Sequence, residues 1–496
     1  MTSKTTRLLI RNVSHLGIGQ IVSTALGILL TAVIGRALDP AQLGIFYIVL
    51  GINSFVSFII DWGQSTYLVR EMARGRSDEP ELIGSALVLR LATTVFSSVV
   101  AVIIALTLGY KSQVVELTLL AMAAAVPATT LFVPFDCSFR AKDRMDIDAF
   151  ANVIGKAVTL VATAVALHLG GGLTEVILMQ GVGGTAILLS GIIAAQRLDI
   201  AVKAPVMKPL RELFVHGAPI AASALVIALQ PFLEILLLST FVGPAVVGWY
   251  GAFRGIYNVV VSPAMLLLGA SFPELSRVSL SLPDLRHMID KTGRILFVAA
   301  AFTSSALYVF ADHMVAILYG HGRLEQSASI LRMSAIFIPL MFFSFLLGST
   351  LFAVGRNKPV VVINIVRIAI FVVLSWLVIE YWQNRFGNGA VALVIIAGLV
   401  EIPAMIAYFA LLPRGAVGST TTLNGVRAYI ASLCTAVPLT MLQPLGLWYL
   451  TPLFLLLFAV AAMITRLILP SDLRLAIEIA RARVFAFQAT TSAPDG

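Results

Sequence analysis

Pro40-Ala41-x-x-Gly44-x-Phe46-x-x-x-x-Gly51-Ile52 returns as Pro244-Ala245-x-x-Gly248-x-Tyr250-x-x-x-x-Gly255-Ile256. Each copy follows a short break and opens an apolar stretch. Proline suits a helix start, where its missing N–H leaves no hydrogen bond unmade. Self-similarity at a spacing of about two hundred residues implies a duplicated building block. A second pair keeps nearly the same offset: Ala141-x-x-Arg144 with Asn152 downstream, and Ala353-x-x-Arg356 with Asn364 downstream.

The composition says what the block is made of. Charged residues are 12%, the hydrophobic fraction is 59% and the mean hydropathy is +0.96. Soluble domains carry roughly 25% charged residues. A chain this apolar cannot cover its surface with polar groups in water, so it belongs in a bilayer. The expected fold is an all-α integral membrane protein.

At about 20 apolar residues per span, about fourteen segments qualify, with a total of twelve or thirteen left open by weak boundaries at 109–113, 170–173 and 444–446. They run over 12–36, 41–66, 82–108, 113–139, 146–169, 173–195, 212–240, 245–272, 287–311, 327–354, 359–380, 388–412, 424–444 and 446–469. The first is too long for a signal-peptide core of about 7–15 residues, and is read as a retained helix. A block of six helices repeats in the same orientation, because six is even. The expected domains are therefore two parallel six-helix lobes, 1–200 and 201–412, around a central cavity. Two appended helices and an amphipathic tail follow in 413–496. The tail carries Leu473, Ile477, Ala480, Val484 and Phe487 at helical spacing.

Most of the 34 basic residues fall in every second connection, among them Arg70, Arg74, Arg140, Lys142, Arg277, Arg286, Arg356 and Lys358. The intervening connections hold only Arg36, Lys111, Arg323, Arg332 and Arg385. The positive-inside rule then puts both termini in the cytoplasm. The formal net charge of +9 forms no basic face, so nucleic acid is not an expected partner. Two cysteines, Cys137 and Cys434, make no disulfide framework, and the six histidines show no metal-ligand spacing. No metal or other cofactor is expected.

Four basic residues lie deep in spans: Arg90, Lys156, Arg254 and Arg367. The deep acids are Glu234, Glu401 and, nearer an end, Asp61. A charge at a helix centre costs about 2.5–3.5 kcal/mol on insertion scales, so these side chains face a hydrated cavity or partners. Unpaired cations around a central space suit a multiply charged anion, and arginine presents a fork to phosphate oxygens. Static pairing, such as Arg254 with Glu234, and snorkelling of Arg90 and Arg367 to the interface remain open. For Glu401, a coupling-ion or proton site and a buried ion pair are both open. Prolines within spans, including Pro127, Pro231, Pro263, Pro339 and Pro403, bend helices as hinges or as fixed shape.

Leu43-Gly44-x-Phe46, then Asp61-Trp62-Gly63 and Leu68-Val69-Arg70-Glu71-Met72-Ala73-Arg74, resembles the second helix of Wzx-type polysaccharide flippases. Val247-Gly248-x-Tyr250-x-Ala252-x-Arg254, Phe272-Pro273-Glu274-Leu275-Ser276 and Phe352-Ala353-x-Gly355-Arg356-x-Lys358 carry the resemblance onward. These motifs recur across the multidrug/oligosaccharidyl-lipid/polysaccharide exporter superfamily. The resemblance implies a non-enzymatic transporter of the bacterial inner membrane. Such a protein flips polyprenyl-diphosphate-linked oligosaccharides for O-antigen, capsule or exopolysaccharide export, with polymerase machinery as a further partner. With that function, the deep charges read above give the expectation that the diphosphate meets Arg254, Lys156, Arg367 and Arg90, and that coupling to an ion gradient or the membrane potential rests on Glu401, Glu234 and Asp61. Arg254 matches a basic cavity position of the related peptidoglycan-precursor flippases. Those relatives also carry basic residues within the first helix, which is uncharged here between Arg11 and Arg36. The appended helices resemble a pair thought to cradle the lipid tail.

Two rival functions stay in view. A multidrug or organic-cation exporter would favour carboxylates and aromatics over deep cations. A membrane glycan polymerase or ligase would need a sizeable outside loop, and the outside connections are short.

Overall fold

The computed structural model describes residues 3–442 and 446–468, so the expected amphipathic tail lies outside the described residues. Among them every element is helical. In chain order these are α1 (Ser3–Ala37), α2 (Pro40–Asp61), α3 (Gln64–Ala73), α4 (Glu79–Thr107), α5 (Ser112–Ala124), α6 (Val126–Ala141), α7 (Met145–His168) and α8 (Leu173–Arg197). They continue as α9 (Met207–Phe241), α10 (Pro244–Arg277), α11 (Leu282–Tyr319), α12 (Gln326–Ala353), α13 (Asn357–Phe386), α14 (Gly389–Leu411), α15 (Ser419–Thr440) and α16 (Leu447–Ile464).

Twelve helices among the described residues are long and apolar enough to cross a bilayer, and the expected count of fourteen is not confirmed among them. The expected spans not among the twelve are α9 and α15. α9 runs over 35 residues and includes the apolar stretch Leu229–Phe241. In α15 the first turn is Ser419-Thr420-Thr421-Thr422, and Asn424 and Arg427 follow, so the polar start dilutes the apolar run. The span expected over 113–139 is broken into α5 and α6 at Ala125, with Pro127 in the first turn of α6.

The span expected over 41–66 ends earlier, at Asp61. Trp62 and Gly63 take left-handed backbone, with φ of 45° and 72°. Such a conformation is uncommon for a bulky residue and has to be held in place. The Trp62 indole N–H donates to the Phe214 carbonyl at 2.9 Å, and its ring stacks on Phe214 at 5.1 Å. A turn results that re-aims the chain into α3.

The described chain forms two compact units. One comprises Met1–Val259, Met314–Ser327 and Ile368–Leu393. Its core packs Leu68, Leu82, Ile83, Phe139 and Leu213, from α3, α4, α6 and α9. The other comprises Val260–His313, Ala328–Arg367 and Val394–Gly496. It is centred on Phe297, Ala301, Ala428, Ala431 and Ala462, where small residues let α11, α15 and α16 approach closely.

Within the first unit the two sequence repeats meet. A Cβ on Gly44 would lie 1.8 Å from the Pro244 carbonyl oxygen, and one on Gly248 would lie 2.0 Å from the Pro40 carbonyl oxygen. The first turns of α2 and α10 therefore cross backbone against backbone, each glycine seated on the other copy's proline. The start of α2 is further fixed by a capping box, with the Asp39 carboxylate accepting from the Gln42 N–H at 2.8 Å.

Candidate functional site

The deep charges come together in pairs across neighbouring helices. On α9, Gln230 and Glu234 are one turn apart; on α10, so are Tyr250 and Arg254. Spacing of four puts each couple on one helix face. Arg254 Nη2 lies 3.5 Å from Glu234 Oε2, and the same oxygen accepts the Tyr250 hydroxyl at 2.7 Å. Gln230 donates its amide to the other oxygen at 3.3 Å. Three donors hold the carboxylate, whose side chain is 7% exposed, whereas that of Arg254 is 30% exposed. Arg254 thus lines a cavity of about 420 Å3 with Tyr47, Ser54, Phe55, Phe232 and Asn258. Phe55 and Phe232 stack at 4.3 Å in its wall. The arrangement leaves a guanidinium at an aromatic surface with its counter-ion separately hydrogen-bonded. Arg254 can turn to an incoming anion without orphaning Glu234.

Arg90 is placed differently. Its side chain is 2% exposed, and Nη2 donates to Asp61 at 2.5 Å and to the Ser65 hydroxyl at 3.0 Å. Ser65 also bonds to Asp61. This cluster ties α4 to the end of α2 and the start of α3, beside the Trp62 turn.

In the second unit, Arg367 of α13 pairs with Glu401 of α14. Glu401 also accepts the Ser344 hydroxyl at 2.8 Å. Asn364, one turn before Arg367, accepts from Arg367 at 3.1 Å and from the Tyr408 hydroxyl at 3.3 Å.

Of the readings left open for the deep charges, the structure shows pairing for Arg90, Arg254 and Arg367. Each holds one of Asp61, Glu234 and Glu401, the three acids assigned to ion coupling. The physical reason is that an uncompensated charge is costlier in a low-dielectric interior than a hydrogen-bonded pair. Lys156 makes no ion pair among the described residues, and its amine donates to the Ser23 carbonyl at 3.3 Å. It lines a separate cavity of about 340 Å3 with Gln20, Arg140, Asp148 and Asn152. Arg254 and Lys156 thus face different cavities.

Tyr250 and Gln230 were missed as site residues from sequence. The signal was present, because each lies one helical turn from a charge already singled out. Asp148 and Asp136, which share Arg140 at 3.0 Å each, gave no such signal, because Arg140 reads as a loop charge.

The family model described as polysaccharide biosynthesis protein matches residues 9–279, more than half of the chain. This chain belongs to that family. The matched stretch includes Arg90, Lys156, Glu234 and Arg254 and excludes Arg367 and Glu401. Among solved structures, the fold is similar to that of "Lipid II flippase MurJ, inward closed conformation", with a TM-score of 0.73 at 12% identity over 90% of this chain and 98% of that one. An inward-facing multidrug resistance transporter of the MATE family aligns with a TM-score of 0.64 at 16% identity, over 80% of this chain and 97% of its own. A transporter of the same superfamily from Pyrococcus furiosus, whose binding pocket is described as of reverse polarity, aligns at 0.56 and 17% identity over 81% and 94%. At these identities the likeness is one of fold. No curated protein matches the chain in sequence. The family member is thus an all-helical, multi-pass membrane protein with the architecture of these transporters.

Proposed function

We propose that this protein flips polyprenyl-diphosphate-linked oligosaccharides across the bacterial inner membrane for surface or secreted polysaccharide. Two lobes, 1–200 and 201–412, would alternate access to a central site, with 413–496 appended and both termini cytoplasmic. The observation that carries the reading is Arg254. It is a partly exposed guanidinium on the aromatic wall of a cavity, inside the segment that matches the polysaccharide biosynthesis family. A fork of donors beside aromatic faces suits a diphosphate joined to a sugar. Lys156, the cation with no carboxylate partner among the described residues, is assigned a separate anion contact in its own cavity, met at another stage of transport. Arg90 would order α2, which lines the Arg254 cavity, and Arg367 would hold α13 to α14 outside it.

The test is complementation of a strain lacking the gene. Arg254→Ala should abolish surface polysaccharide at normal protein level, and Arg254→Lys should restore only part, since lysine is a point charge without the fork. Full restoration by the alanine variant would remove Arg254 from the site. The MATE-like fold keeps drug export as the rival reading. A deletion strain whose polysaccharide is unchanged and whose drug sensitivity rises would establish that reading instead.

A further inference from the structure

A cavity in the second unit has a charged end and an apolar body. Its volume is about 1360 Å3. Lys291 and Arg294 of α11, Arg427 of α15 and Arg466 just past α16 line it, against one carboxylate, Asp290. That carboxylate accepts the Thr421 hydroxyl. Arg427 donates to Asn424 at 3.0 Å, and Lys291, Arg427 and Arg466 form no ion pair among the described residues. In sequence these residues look like orientation signals in separate connections. The fold brings them to one rim.

The charges lie toward one end of each helix. Lys291 and Arg294 precede the apolar run of α11, Arg427 lies in the first half of α15, and Arg466 follows the last turn of α16. Beyond them the lining turns apolar: Ile295, Val298, Phe302 and Ala306 of α11, Pro263 of α10 and Phe458 of α16. From Ile295 to Ala306 the helix rises about 16 Å, at 1.5 Å per residue. That is about half of a 30 Å hydrocarbon core, the depth of one leaflet. Ile295 and Phe302 are substantially exposed, so the trough presents an apolar wall.

We infer that this cavity holds an anionic membrane phospholipid, with its phosphate at Lys291, Arg427 and Arg466 and its acyl chains along α11. Basic pockets between membrane helices at an interface recognise lipid phosphates by charge-assisted hydrogen bonds. A trough one leaflet deep matches a diacyl chain, whereas a long polyprenyl chain would overrun it. The site shares no lining residue with the Arg254 cavity and does not depend on the flippase reading.

The experiment is native mass spectrometry of the purified full chain released from vesicles of phosphatidylcholine containing phosphatidylglycerol. The wild-type protein should retain phosphatidylglycerol, and excess phosphatidylcholine should not displace it. In the triple variant Lys291→Ala/Arg427→Ala/Arg466→Ala, retention should fall by at least about tenfold. Arg254→Ala should retain lipid as wild type does, even if it flips nothing. Ala299→Trp, which fills the trough and leaves the charges, should also lose the lipid. Equal retention of both lipids by the wild type would overturn the proposal without recourse to any variant. Displacement by polyprenyl diphosphate but not by phosphatidylglycerol would also overturn it, and would assign the cavity to the transported lipid.

Discussion

At the scale of the residue, each deep arginine forms half of a neutral couple, so single and double substitutions should behave oppositely. Removing one member of a buried pair costs about 3–5 kcal/mol, because it strands the other charge, whereas replacing both with apolar groups is often neutral. Glu234→Leu alone should lower the thermal midpoint markedly, and Arg254→Met/Glu234→Leu should recover it. Only a substrate role for Arg254 leaves that stable double variant inactive in flipping. For Arg90 and Asp61 the expectation reverses: Arg90→Met/Asp61→Leu should be both stable and active, because Arg90 is buried and ties α4 to α2. Loss of transport in that stable double variant would give Arg90 a part in the site. Outside the spans, Arg76 hydrogen-bonds Asp78 at 2.7 Å and holds its carboxyl below the usual carboxylate range. A depressed pKa stabilises the fold above the unfolded carboxylate's pKa, and the effect is lost as pH falls through the folded value. Asp78→Asn should therefore lower the stability at neutral pH by no more than about 1 kcal/mol at this exposed position, read as a small drop in melting temperature, and not at all at strongly acid pH. A difference that persists in acid would assign the effect to capping of α4. The deep charges themselves were legible as breaks in apolar runs. The pairing of Arg254 with Glu234 was legible as one of two readings, but that of Arg90 with Asp61 was not, because they lie on different helices and no periodicity within one helix reveals a neighbour on another.

At the scale of the element, the repeat was legible as equivalence and illegible as contact. Similar segments announce a shared fold, and nothing in that similarity says that the copies touch. Gly44 and Gly248 are small because each faces the other copy's proline carbonyl. Gly44→Ala and Gly248→Ala should each destabilise by about 1–3 kcal/mol, the usual cost of overpacking. Because both residues act on one crossing, the double variant should cost clearly less than the sum. Thermal melts of the four proteins measure this directly, and strict additivity would mean that the two contacts are independent. The end of α2 shows a second limit. Asp61-Trp62-Gly63 sits in an apolar run, so counting residues carried the span on to 66. The turn depends on Trp62 finding Phe214, far away in sequence. The broken span at Ala125 was more accessible, since Pro127 marks it.

At the scale of the whole molecule, composition alone fixed the all-helical membrane class, because 12% charged residues leave no other solvent. The number of spans was less legible, since polar starts such as that of α15 blur the threshold. The same pairing that stabilises the fold bears on how transport is driven. A carboxylate that binds Na+ in each cycle must be free of a fixed counter-ion in at least one state. Here Asp61, Glu234 and Glu401 are each held by an arginine. Opening one pair to admit a cation would strand an arginine at a cost of several kcal/mol, unless an anionic substrate took it over. The pairs therefore favour exchange of Glu234 for substrate phosphate at Arg254 over binding of a metal cation. Flipping in proteoliposomes should accordingly persist when Na+ is replaced by choline on both sides. It should also survive in Arg367→Met/Glu401→Leu, which removes the pair outside the segment that matches the family. Abolition of flipping by Na+ removal in the wild type, together with its loss in that double variant, would make Glu401 a coupling site that sheds Arg367 during the cycle.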